Sequence, residues 1–182
     1  MSKFEILEER LTEFPLVEYG FLKADQVEFL DRVRMVCRDH CPQYGKSWAC
    51  PPAVGTVDEC RERCNQYKDV MIFSTMVEVN DITNMEETLA TREGHEEVTR
   101  GIAALIRELY GPCQPLSTES CAVCEKCAYL SGHPCVHPDR MIPCVESYGI
   151  LVTDLAEKAG MTFMEDYNTV IWFSAIFLNM DE

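Results

Sequence analysis

The 182-residue sequence predicts an α+β fold, a single domain with a mostly antiparallel sheet of four to five strands, helices packed on it and two cysteine-rich loops. Three observations predict it. Runs of strand length that are apolar or alternating recur along the chain. Segments with apolar residues at helical spacing lie between them, and most of the eleven cysteines fall in loop-like stretches rich in proline and glycine. With 47% hydrophobic residues the chain can bury one core, and neither a repeat nor a linker divides it.

Taken in order, residues 15–23 alternate as a strand does, and Asp25 is placed to cap a helix running to about Met35. Val27, Leu30, Val33 and Val36 recur on one side of that helix, and Pro42 prevents its continuation. Residues 42–55 read as loop. Thr56 then stands as an N-cap with Asp58 and Glu59 in the first turn of a second helix reaching about Gln66. Residues 69–79 combine a continuous apolar run with alternation, the pattern of a buried strand. Residues 84–110 carry Ile102, Leu105, Ile106 and Leu109 on one side and predict a long helix, with Gly94 and Gly101 as candidate interruptions. A short strand begins near Pro115, a helix over 151–159 ends at Gly160, and residues 161–163 and 169–179 supply two last strands. The helices are expected on one side of the sheet.

Net charge is −15, from 31 acidic against 16 basic side chains, so long-range electrostatics oppose approach to nucleic acid or anionic lipid. No local basic run offsets this. The same acidity suits docking onto a basic partner protein. No stretch approaches the ~20 apolar residues of a membrane span, and residues 1–5 lack the apolar region of a secretion signal. The expectation is a soluble, cytoplasmic protein, and the sequence does not indicate its oligomeric state.

In a reducing compartment, clustered thiols point to metal ligation rather than to disulfides, and the odd count agrees. Cys121, Cys124 and Cys127 stand at three-residue intervals, as in the opening of a bacterial ferredoxin run, whose thiolates hold a [4Fe–4S] cluster. Structural zinc, the alternative, favours two separated Cys-x-x-Cys knuckles. The candidate fourth ligand is Cys135, after seven intervening residues, with Cys144 the competitor. The shorter loop favours Cys135, though closure entropy separates the two by less than ~1 kcal/mol. His133 and His137 flank Cys135 and leave a mixed site open, or are simply solvated loop side chains.

The other group is Cys37 and Cys41, one helical turn apart, with Cys50 returning from the loop between them and the next helix. Tyr44 and Trp48 are placed to shield it. A fourth ligand is open. Cys60 and Cys64 repeat the four-residue spacing and are candidates, although a cysteine on a helix also behaves as a small buried hydrophobe. Without a fourth ligand one iron would be open to chemistry, and Lys46 and His40 are then candidate catalytic residues, with Arg34 and Arg38 as further basic groups for an anionic substrate. Solvated charges are the plainer reading of all four. Cys113 reads as an unliganded thiol.

The run Cys37-x3-Cys41-Pro-x-Tyr44-Gly45-x2-Trp48-x-Cys50-Pro51-Pro52, then Cys121-x2-Cys124-x2-Cys127, Pro134-Cys135-x-His137-Pro138 and Tyr148-Gly149-Ile150, resembles a known family. It is that of the cysteine-rich predicted metal-binding proteins, a domain of unknown function frequent in anaerobic bacteria and archaea. The resemblance covers nearly the whole chain. It implies that Cys37, Cys41, Cys50, Cys121, Cys124, Cys127 and Cys135 are recurrent ligands, whereas Cys64, Cys113 and Cys144 lie outside the shared pattern.

Three functions remain. The first is an iron–sulfur domain over 1–182 with two [4Fe–4S] clusters, acting in electron transfer or as a redox accessory to a partner protein. The second is an enzyme whose open cluster at Cys37, Cys41 and Cys50 performs Lewis-acid or sulfur-transfer chemistry on a small molecule. The third is a structural zinc module. No phosphate loop, dinucleotide fingerprint or nucleophile–histidine–carboxylate signature supports a conventional hydrolase, kinase or dehydrogenase.

Overall fold

The computed structural model describes residues 1–162 and 168–180. Its centre is two ten-residue strands, β2 (Asp69–Glu78) and β4 (Thr169–Leu178), paired antiparallel along their whole length. β1 (Glu18–Lys23) flanks β2, and the short β3 (Gln114–Leu116) flanks β4, giving a four-stranded antiparallel sheet in the order β1-β2-β4-β3. Central strands covered on both faces should be apolar at successive positions, and β2 is. Val70 and Ile72 face one core, and Met71 and Phe73 face the other.

Helices therefore cover both faces of the sheet, not one as expected. Against the Met71 and Phe73 face pack α1 (Lys3–Leu11), through Leu7 and Leu11, and α5 (Arg92–Tyr110), through Ile102, Leu105 and Ile106. On the other face lie α3 (Val57–Cys64), α6 (Val152–Lys158) and a 3-10 turn at Glu146–Tyr148. α1 is an element the strand-first reading omits. Its signal is a capping box, in which Ser2 accepts from the Glu5 amide and the Glu5 carboxylate accepts from the Ser2 amide.

Two helix boundaries differ from expectation for identifiable reasons. The helix expected from Asp25 begins six residues later, as α2 (Asp31–His40), after a 3-10 turn at Ala24–Gln26. Leu30 stays extended because its amide bonds the Gly149 carbonyl at 2.7 Å, a partner far away in sequence. Val36 is consequently exposed, and Val33 and Cys37 form the buried side. The long helix over 84–110 breaks at Thr91, not at a glycine, into α4 (Met85–Ala90) and α5. The Thr91 hydroxyl donates to the Thr88 carbonyl and accepts from Trp172 Nε1, which fixes the break. Gly101 instead admits the Phe14 ring, which would lie 2.6 Å from a Cβ there. At the C-terminal end, residues 161 and 162 form no strand, and residue 163 lies outside the described residues.

Gly149 has φ +80°, and a Cβ on it would meet the Leu30 carbonyl oxygen at 3.1 Å and Val57 at 3.2 Å. Gly94, by contrast, lies in α5 with open space around it. Gly149→Ala should therefore destabilise the chain by about 2 kcal/mol through its left-handed backbone, while Gly94→Ala should stabilise it by about 0.5–1 kcal/mol. Denaturant titration of the two variants measures both; equal effects of the two would contradict this assignment.

Candidate metal centre

Both cysteine groups are built on loops, and the loops are held by contacts distant in sequence. α2 ends on Cys37 and on Cys41, whose amide caps the helix by bonding the Cys37 carbonyl at 3.2 Å. The chain then folds through turns, closed by the Gly45 amide on the Pro51 carbonyl at 2.8 Å, and this presents Cys50 inward. Arg34 fastens α2 to the structure behind it, donating to the carbonyls of Ser147 and Gly55, each at 2.8 Å. Its guanidinium is thus occupied with backbone. Arg38 pairs with its neighbour Asp39, and His40 and Lys46 are exposed; neither of these two candidates lines the space in front of Cys37.

That space is a cavity of about 530 Å³ whose wall carries Cys37, Cys41, Cys50 and Cys144, with Tyr44 and Glu146 beside them. Cys144 reaches it through a parallel bridge to Ser117, in which the Ser117 amide bonds the Pro143 carbonyl and the Val145 amide bonds the Ser117 carbonyl, both at 2.8 Å. The Ser147 amide donates to Cys144 Sγ at 3.2 Å. Cys60 and Cys64 point elsewhere. Both are buried in the core beneath the sheet, and Cys60 Sγ lies 3.2 Å from an Arg63 guanidinium nitrogen and 3.6 Å from the Val54 carbonyl oxygen. Cys113 packs on the Ala103 carbonyl at 3.7 Å.

The structure also brings Cys121, Cys124, Cys127 and Cys135 around one small enclosed space of about 20 Å³, with Trp48, His137 and Met141 completing its wall. Trp48 belongs to this group, not to the first. Its indole nitrogen donates to the His133 carbonyl at 3.0 Å and its ring meets Tyr129 edge-on at 5.0 Å. Arg100 on α5 holds the far side of the loop, donating to the Arg140 carbonyl at 3.1 Å while paired with Glu96 and Glu97. His133 supplies this group with its carbonyl, and His137 with part of the wall.

Burial dominates the electrostatics. It pushes the Cys50 thiol up to about 12, helped by its neighbours Cys41, Cys37 and Cys121, and it raises Cys37, Cys121 and Cys144 in the same way. The charge of Cys121 is felt at Cys50, so the two groups lie side by side. Burial also raises Glu146 to about 7. The donor set fits a thiophilic metal, since eight thiols stand in two fours, and binding there requires the protons to leave. Among the described residues, no three His, Cys, Asp or Glu side chains already converge as the ligands of one ion, so loading draws side chains inward or spreads them around a cluster.

A second buried cluster resembles catalytic machinery but is closed to solvent. His95 on α5 bonds Thr75 through Nδ1 at 2.7 Å and Ser174 through Nε2 at 2.8 Å, and Thr99 joins Ser174 at 2.8 Å. His95 is 2% exposed, and burial depresses it to about 4, so it is neutral and structural. No sequence spacing announces this network, because its members come from β2, α5 and β4.

The raised thiols fix a pH response. Below the ordinary thiol value of 9.0 both the folded and the unfolded metal-free chain keep these protons. As pH rises from there towards about 12 the unfolded chain releases them first, so the metal-free fold loses stability with increasing pH. In a loaded chain the ligand thiolates bind no proton, so stability rises with pH up to the ordinary value of 9.0 and levels off above it. Thermal midpoints measured from pH 7 to pH 11 should rise with pH only for the loaded chain below pH 9.0 and fall only for the metal-free chain above it; parallel curves would mean that these thiols take no metal.

No curated protein and no solved structure matches the chain. Among the described residues, no helix is long and apolar enough to cross a membrane. A family model described as predicted metal-binding protein (DUF2284) matches residues 20–178, a span that contains every cysteine of both groups. The chain belongs to this family of predicted metal-binding proteins.

Proposed function

We propose that the chain is an iron–sulfur protein that holds two [4Fe–4S] clusters and serves electron transfer to a partner protein. Cys37, Cys41, Cys50 and Cys144 would hold one cluster, and Cys121, Cys124, Cys127 and Cys135 the other. The observation that carries this reading is the sorting of eight cysteines into two adjacent fours, with Cys50 of one group within electrostatic reach of Cys121 of the other. Clusters bound there supply one-electron exchange at potentials set by ligand type, hydrogen bonding and exposure.

The protein's own part is to hold thiolates, exclude water and aim donors. The Ser147 amide on Cys144 and the Val123 amide on Cys121 stabilise negative sulfur, as does Arg34 near Cys37. Tyr44 and Trp48 each cover one group. The net charge of −15 favours a basic docking partner and raises its association rate at low salt. Cys144 on the first cavity supports four thiolates there, which leaves less basis for an open iron and for enzymatic use of His40 and Lys46.

One observation favours a second reading for part of the molecule. The space within the second group, about 20 Å³, is on the scale of one ion, and a zinc at Cys121, Cys124, Cys127 and Cys135 would need less opening of the loop than a cubane. The three-residue intervals of these cysteines favour the cluster.

Protein prepared without oxygen should contain about eight irons with equal acid-labile sulfide and show visible charge-transfer absorbance. Cys144→Ala should lower iron towards about four or convert one cluster to a form with a new paramagnetic signature, and Cys60→Ala should leave the iron content unchanged. Zinc in place of iron, or a loss of iron with Cys60→Ala alone, would overturn the assignment.

A further inference from the structure

Beside the second cysteine group lies a cavity of about 900 Å³, within the size range of small-molecule sites. Its wall includes Arg63 from α3 and Arg100 and Arg107 from α5, with Asp139 as its one carboxylate, and it reaches Trp48 and Cys135. Three of the chain's basic residues thus meet in one concavity of a protein whose net charge is −15. They come from two helices distant in sequence, so no basic run marks them.

The three guanidiniums differ in what already occupies them. Arg100 is neutralised by Glu96 and Glu97. Arg63 bonds only neutral acceptors, the carbonyls of Glu59 and Val54 and the Cys60 sulfur, and its charge lies over the Tyr148 ring. Arg107 makes no side-chain hydrogen bond or ion pair among the described residues, and its charge is felt at Cys113 and Tyr67. Arg107 has no carboxylate partner among the described residues, and Arg63 makes no ion pair there although the Glu59 carboxylate lies within electrostatic reach of it; set in a concave and partly apolar wall, the two form a receptor for an anion.

We propose that this cavity binds a small organic anion, a carboxylate or phosphate ester with an apolar body, whose charged end lies between Arg63 and Arg107 and whose body lies against Trp48. Arginine suits that task because its planar fork binds carboxylate and phosphate through paired hydrogen bonds. The apolar part of the wall gives the remainder of the ligand somewhere to leave water. Binding itself does not depend on the cluster reading. A further consequence does rest on it: the ligand would border Cys135, and its occupancy would be sensed at the metal that Cys135 holds.

Phenyl phosphate is a suitable probe, with Trp48 as reporter. The chain has two tryptophans, so Trp172→Phe leaves Trp48 alone to fluoresce. Titration of the metal-loaded Trp172→Phe protein should give a saturable change in emission, lost with benzyl alcohol, which lacks the charge. Arg107→Met, at an exposed position without partners, should weaken binding about tenfold, the effect of one lost charge-assisted contact, and Arg107→Lys should restore part of it. Lys158→Met, on α6 and outside the cavity wall, where the ammonium pairs with Glu28 and Asp154, should have no effect. Absence of a saturable change, equal binding by Arg107→Met, or response to an acidic peptide but not to phenyl phosphate would each overturn the proposal. A shift in visible absorbance on titration reports the contact with Cys135 separately, so failure of the cluster reading and failure of anion binding give different results.

Discussion

The short parallel bridge between Ser117 and Cys144 is the constraint from which the site follows. It closes residues 118–143 into a loop at its base, through two backbone hydrogen bonds of 2.8 Å. Closing so long a loop costs several kcal/mol of chain entropy, more than two hydrogen bonds return. The remainder comes from packing. Ser117 is fully buried and touches Ser174 of the central strand β4, and Val145, Tyr148 and Ile150 behind Cys144 belong to the main core. The same bridge sends the loop's four cysteines to one side and delivers Cys144 to the cavity of the other group. One nonlocal pairing therefore completes the first set of thiols and encloses the second.

Charge is the opposing constraint. Eight thiolates close together in a chain already at −15 would repel one another strongly, and burial raises several of the thiols so that the metal-free protein keeps them neutral. Glu146 answers to the same cause, raised by burial and by Glu119 across the cavity. A metal cation or a cationic cluster core would reduce the conflict, because it would supply positive charge that few local side chains provide. Arg34 is close to Cys37, but its hydrogen bonds go to carbonyls of Ser147 and Gly55, so it serves as a staple first.

What the sequence made legible is what local pattern determines. β2 is apolar on both faces and was readable as a buried strand, and β4 as a strand; Thr56 and Glu59 form the capping box their spacing suggests. Errors arose where a distant partner decides. Leu30 resembles a helical position until the Gly149 carbonyl takes its amide, and Gly101 resembles a break until Phe14 packs on it. The choice of cysteines shows the same limit. Cys60 and Cys64 repeat the spacing of Cys37 and Cys41, yet their helix turns them into the core, whereas Cys144, without any spacing to recommend it, is carried to the cavity by the bridge. The arginines of the large cavity were invisible for this reason too, since a basic run was the only signal a linear reading could find.

The stretch from Cys41 to Cys50 joins the two groups mechanically as well as electrically. Cys50 faces the first cavity, and Trp48, two residues earlier, fills the wall of the second and holds the His133 carbonyl and the Tyr129 ring. The Ala49 between them is fully buried and its amide is tied to the Ser47 hydroxyl at 3.1 Å, which limits how far either residue can move alone. An outward displacement of the 121–135 loop would therefore pull on Trp48, and through it on Cys50. Were both groups to bind metal, ordering one would lower the entropy left to lose at the other, a physical basis for positive coupling between two binding events without direct contact of the ligands. The cysteine-rich loops are two in sequence, and this linkage makes them one unit in the fold.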